Sequence, residues 1–238
     1  MRLENVAFRY RRRDPWVFRD VTLSLAVGSV TEVTGQNGAG KSTLLRVIAG
    51  LRRPRVGVVK GRPARVGYAP ERFPVDQPFS VHAYLGHMAA IRRVSQDAVD
   101  AWAERLRFDH LLDVRLPELS KGSAQKVGLA QALMGDPELL ILDEPFAGLD
   151  AAVREALPGL ISGLAAGGTT VVVSDHQRCI EALPGVERLR VADAAVTRLA
   201  PDGTAGWTVL EVEVPMDEAA ILETKLRADG YRVRRAEQ

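Results

Sequence analysis

One segment, Gly35-Gln36-Asn37-Gly38-Ala39-Gly40-Lys41-Ser42, constrains this chain more than any other. It reads glycine, four variable residues, then Gly-Lys-Ser. Residues 29–34 before it read as a strand. Residues 41–49 after it read as a helix, stopped by Gly50 and Pro54. A strand running through such a loop into a helix makes a phosphate cradle. Glycines let the backbone turn tightly and aim successive N–H groups at phosphate oxygens. The helix N-terminus adds partial positive charge at the same place. In that frame Lys41 supplies a full charge to the β- and γ-phosphates, and the Ser42 hydroxyl is placed to ligate Mg²⁺. Gly35, Asn37, Gly38, Ala39, Gly40 and Thr43 complete the set expected to touch nucleotide. The rival is a chance glycine-rich turn, and the strand and helix on either side count against it. Alone, the pattern implies nucleotide phosphates and nothing narrower.

A second segment narrows this. Residues 139–142 are an unbroken apolar run ending in Asp143-Glu144. Carboxylates at the C-terminal end of a strand stand where open α/β sheets bind ligands. Asp143 is therefore expected to hold Mg²⁺, and Glu144 to polarise an attacking water as general base. An ordinary strand-to-loop junction is the bland reading, and the cradle upstream weakens it.

Strands and helices alternate along most of the chain, which implies an α/β core with a largely parallel sheet. Residues 2–34 read as β, with residues 21–27 alternating as a strand with one buried face. Residues 66–69 form a short strand. Residues 76–115 change to helical spacing and read as a helical insert. Residues 124–134 read as a helix and 170–174 as a buried strand. The expected fold is thus a P-loop NTPase core with a mixed, largely parallel sheet, an antiparallel β subdomain and a helical insert. That body is expected to span residues 1–202, with the insert at about 76–115. Residues 203–238 read as a small α+β C-terminal appendage, with strands at 207–214 and 231–235 around a helix at 217–228.

Composition closes several other routes. A net charge of +2 is too small to argue for nucleic acid. The single cysteine, Cys179, allows no internal disulfide, which fits a reducing compartment. The N-terminal residues lack the apolar stretch of a signal peptide. Residues 156–174 carry no charge and are long enough to span a bilayer. Pro158 and the pair Gly167-Gly168 instead divide them into helix, turn and strand.

Together these motifs resemble the nucleotide-binding subunits of ABC transporters, over roughly residues 3–195. The resemblance rests on an ordered set. Leu119-Ser120-Lys121-Gly122-Ser123-Ala124-Gln125 stands where the family has Leu-Ser-Gly-Gly-Gln, with Leu119, Ser120 and Gly122 matching. Ala147-Gly148-Leu149-Asp150 resembles the D-loop and His176 the switch histidine. Tyr10 lies where the family places an aromatic that stacks on adenine. Trp16 offers a rival ring, and residue type alone does not separate the two. The branch resembled is that of drug and antibiotic exporters, because Glu71 stands where most members have Gln.

The resemblance implies an ATPase. Two copies would face head to tail, with ATP sandwiched between them. Ser120 and Gly122 of one copy would contact the γ-phosphate held by the other. His176 would help place the water, making Glu144, His176 and Lys41 the catalytic set. Ser42, Asp143 and Glu71 would surround Mg²⁺. Lys121 would either assist γ-phosphate binding or point to solvent. The implied partner is a separate membrane permease, with this chain peripheral on the cytoplasmic face of the cell membrane and export as its direction. Two rivals remain: an ATPase of the same family acting on ribosomes or DNA, and a regulator that binds nucleotide without cleaving it. The short interval between Lys41 and Asp143 and the single P-loop weigh against the first. The intact set Lys41, Ser42, Asp143, Glu144 and His176 weighs against the second.

Overall fold

The apolar runs at residues 139–142 and 170–174 become neighbouring strands buried on both faces. The structure, a computed structural model, describes residues 1–199, 212, 214–216, 218–228 and 233. Its main sheet has six strands: β3 (Val30–Thr34), β5 (Val66–Ala69), β6 (Leu139–Asp143), β7 (Thr170–Ser174), β8 (Glu187–Ala192) and β9 (Ala195–Arg198), in the order β5-β6-β7-β3-β8-β9. All neighbours are parallel except β8 and β9.

Alternate side chains of these strands enter two different cores, so the middle of each run, Leu140 to Leu142 and Val171 to Val173, is apolar on both faces. Val33, Leu139, Ile141, Val172 and Val191 pack with Leu44, Leu45 and Ile48 of α1 (Lys41–Ala49). Leu140, Leu142, Val171 and Val173 pack on the opposite face, with α4 (Lys121–Leu133) and α5 (Ala151–Ala166). The second core also takes in the helical insert, α2 (Val81–Arg92) and α3 (Asp97–Arg105).

A three-stranded antiparallel sheet, ordered β2-β1-β4, closes over the first core. Its strands are β1 (Arg2–Phe8), β2 (Phe18–Ser24) and β4 (Val56–Lys60). Here the sequence reading of residues 21–27 is corrected. β2 ends at Ser24, and Val27 is 81% exposed. Alternation continues past the ladder because Leu25 still drops into the core, while its N–H bonds the Met1 carbonyl instead of a strand partner.

Helix α4 starts three residues before the expected 124–134, because the Ser120 hydroxyl accepts from the Ser123 amide and caps it. Helix α5 likewise begins at Ala151, capped by Asp150, and tolerates Pro158 within it. Residues 156–174 resolve as the later part of α5, a turn at Gly167-Gly168, and β7. No helix among the described residues is long and apolar enough to cross a membrane.

The chain divides into two compact units, Met1–Asp202 and Gly203–Gln238. The second contains α6 (Ala219–Ala228). The strands expected at 207–214 and 231–235 fall almost wholly outside the described residues.

Candidate active site

Strand β3 ends at Thr34, and the loop from Gly35 carries the chain into α1. Gly40 caps that helix at φ 108°, a conformation that L side chains rarely adopt. A Cβ there would also lie 2.5 Å from Val17 Cγ1. Asn37 and Gly38 form the exposed tip, and the Ala39 amide closes the turn onto the Gln36 carbonyl at 3.1 Å.

Lys41 lies under this loop at 8% exposure. Its ammonium donates to the carbonyl oxygens of Gly35 (2.8 Å) and Gln36 (3.3 Å), and no carboxylate pairs with it among the described residues. A buried cation held only by carbonyl dipoles suits an anionic ligand at the loop mouth.

The next residue reaches across the sheet. Ser42 Oγ donates to Asp143 Oδ1 at 3.0 Å, so the start of α1 and the end of β6 meet. Asp143 is fully buried and accepts three side-chain bonds. Ser174 Oγ also donates to Oδ1 at 3.1 Å, and the Tyr68 hydroxyl donates to Oδ2 at 3.2 Å. Burial pushes the Asp143 carboxyl above its ordinary range, opposed by these donors and by the nearby Arg46 charge. Burial, then the Asp143 charge, pushes Tyr68 up to about 12.

These oxygens fit Mg²⁺. The ion prefers hard oxygen ligands and takes one or two from protein, leaving the rest to phosphate and water. The described residues contain no cluster of three carboxylate, histidine or cysteine ligands, and the Ser42–Asp143 pair asks for none. Glu71 stands apart from them. It follows β5 on an exposed turn, and no hydrogen bond or ion pair engages its carboxylate among the described residues.

Glu144 occupies a strained position, φ 52° for a non-glycine residue. Its amide donates to Ser174 Oγ at 2.9 Å, and its own Oε2 accepts from the His176 amide at 3.3 Å. The His176 ring meets the same Oε2 through Nδ1. The carboxylate is therefore held on one side by the loop after β7, next to the Asp143–Ser42 pair. Ser174, a residue the sequence reading passed over, bridges both acids. Its neighbour Asp175 folds the His176 loop by accepting from the amides of Gln177 (2.9 Å) and Ile180 (3.1 Å).

Tyr10 extends over the same helix start. Its hydroxyl and Thr43 Oγ1 share a bond of 2.7 Å, its ring meets Phe8 edge-on at 5.2 Å, and it stays 45% exposed. The face of Trp16, by contrast, is covered by the Arg9 guanidinium at 4.3 Å. Tyr10 is thus the freer ring beside the cradle.

Ser120 and Gly122 lie elsewhere, and no hydrogen bond links them to the cradle among the described residues. Ser120 Oγ is occupied by the Ser123 amide and hydroxyl at 3.1 and 2.9 Å. Gly122 abuts Gly148 of the loop that ends in Asp150. Lys126 ties the same parts together: its ammonium lies 2.5 Å from Asp150 Oδ2 and donates to the Arg107 carbonyl at 3.1 Å. The Lys126 bond holds the Asp150 carboxyl below its ordinary range. Tyr68, Ser174 and Lys126 were invisible to motif reading, because each acts through a contact between distant segments.

Comparisons with known proteins speak to the family and the fold. A family model described as ABC transporter matches residues 18–147. The chain is similar to the zinc import ATP-binding protein ZnuC of Pseudomonas savastanoi pv. phaseolicola, at 38% identity over 167 residues. That match covers 69% of this chain and 61% of the relative, so it spans less than two thirds of the relative's length. Among solved structures, an ATP binding subunit of an ABC transporter aligns with a TM-score of 0.75 at 25% identity, covering 84% of this chain and 90% of that one. A dimeric bacterial ABC transporter cassette aligns with a TM-score of 0.74 at 21% identity, covering 83% and 96%, a likeness of fold.

Proposed function

This chain belongs to the ABC transporter family and carries its ATP-binding domain, and from that premise we propose that it hydrolyses ATP to ADP and phosphate to drive transport. The observation that carries the hydrolytic reading is the convergence of Glu144 and His176 with the Ser42–Asp143 pair at the end of β6. Lys41 and the loop amides neutralise the phosphates, and Tyr10 offers its exposed face to the adenine. Ser42 and Asp143 would hold Mg²⁺, which screens phosphate charge when bound. Glu144 then takes a proton from the attacking water, with His176 fixing the carboxylate's direction. Glu71, on its exposed turn, joins the Mg²⁺ surroundings only if that turn closes inward.

The remaining features suit a paired assembly. Ser120 and Gly122 sit at the start of α4, and no hydrogen bond ties them to their own cradle among the described residues. We propose that they complete the cradle of a second copy, placing ATP between two protomers head to tail. A separate permease supplies the membrane path, with this chain peripheral on the cytoplasmic face and no role for nucleic acid. Residues 1–202 form the ATP-binding domain in this reading, and residues 203–238 the appendage. On direction, the relative named for zinc import weighs against the export suggested by Glu71.

Glu144→Gln tests the proposal. The amide keeps the shape but loses the base, so hydrolysis is expected to fall roughly 10²–10⁴-fold while ATP binding persists. The variant is also expected to elute as an ATP-dependent dimer. Normal turnover by a monomer would refute both the base and the assembly.

A further inference from the structure

We propose that Tyr68 is a positioning residue for the Asp143 carboxylate and that it sets the affinity of the metal site. This rests on the reading above, in which Ser42 and Asp143 hold Mg²⁺.

A carboxylate at the end of a strand rotates in a broad, roughly two-fold well about its last torsion. Two pins on opposite sides choose one orientation. On one side, Ser42 and Ser174 donate to Oδ1 at 3.0 and 3.1 Å. On the other, the Tyr68 hydroxyl donates to Oδ2 at 3.2 Å, the one side-chain donor to that oxygen among the described residues. A Ser42 hydroxyl that turns a lone pair toward a cation keeps its O–H for Oδ1. Ser42 and Ser174 on one side and Tyr68 on the other would then hold the carboxylate between them.

Tyr68 packs on the α1 side of the sheet, and the Arg46 charge acts on the same phenol. A guanidinium is a donor only, so it can meet the Tyr68 oxygen only at a lone pair and leaves the phenolic proton for Asp143. The three groups come from separate segments, α1, β5 and β6, and β5 pairs with β6 so that Ala69 lies opposite Leu142, next to Asp143. That parallel register is what brings Tyr68 alongside the acid.

The test is Mn²⁺ binding, followed by electron paramagnetic resonance on the full chain with a non-hydrolysable ATP analogue. Tyr68→Phe keeps the ring and removes the donor, so Mn²⁺ affinity is expected to fall about tenfold, the usual worth of a hydrogen bond to a charged group. Arg46→Met leaves the phenol in place and is expected to weaken Mn²⁺ binding by a smaller factor. Analogue binding in EDTA is expected to stay at the wild-type value, which a merely structural role would not allow. Mn²⁺ affinity unchanged in Tyr68→Phe would overturn the proposal. Ser42→Ala separates the two levels. If it loses Mn²⁺ while Tyr68→Phe does not, the metal site stands and the positioning role falls. If Ser42→Ala also binds Mn²⁺ normally, the metal reading falls and this inference with it.

Discussion

A methyl group added at Gly122 would stand 2.2 Å from the carbonyl oxygen of Gly148, closer than any real contact of that kind. The start of α4 and the loop before α5 therefore touch backbone to backbone, and Lys126 fastens them a second time through Asp150. Gly122→Ala is expected to push that loop away and to abolish dimer-dependent hydrolysis. Affinity of the lone protomer for nucleotide should survive, because Gly122 does not touch its own cradle. Equilibrium binding beside steady-state ATPase measurements checks both halves. This also gives Gly122 a meaning that its motif position did not carry: it packs against its own chain whatever it does for a partner. Glu144 is similar. Its proposed role as general base was read from its place after an apolar strand, whereas its strained backbone and its hold by Ser174 and His176 were not legible there.

At the scale of elements, the buried strands were easy to read because both faces of the sheet are covered. Strands β4, β8 and β9 went unread. Their burial is patchy, and Arg188, Arg190 and Arg198 interrupt any apolar pattern. One of those arginines has a structural task. Arg188 on β8 donates to Glu32 Oε2 on β3 at 2.8 Å, where the two residues are register partners and Glu32 is buried. Burial pushes the Glu32 carboxyl above its ordinary value of 4.5, against the lowering bond from Arg188. The folded chain thus binds this proton more tightly than the unfolded chain. Stability from this group is greatest below 4.5 and is lost as pH rises through the raised folded value. Arg188→Met strands the carboxylate and is expected to cost about 3 kcal/mol near neutrality. It should also shift the loss of stability to higher pH. Thermal melts across acid to neutral pH measure this, and adding Glu32→Gln should remove the pH dependence. A deficit that does not vary with pH would contradict it.

At the scale of the molecule, every residue given a role in nucleotide chemistry lies within Met1–Asp202, one of the two compact units. A chain ending at Asp202 is therefore expected to bind a fluorescent ATP analogue with unchanged affinity. Weakened binding on filter titration would show that residues 203–238 reach the site. By itself the sequence pointed to the cradle segment, the two acids after an apolar strand, the segment from Leu119 to Gln125 and the α/β class. Each is a local pattern in which residue type and spacing carry the chemistry. Only the tertiary structure decided how Asp143 is aimed. Its donors Ser42, Tyr68 and Ser174 stand on three segments far apart in the chain, and a parallel sheet with α1 laid across it is what makes them neighbours. Such contacts leave no periodicity in the sequence, because they depend on which strands lie side by side and on which face each side chain emerges.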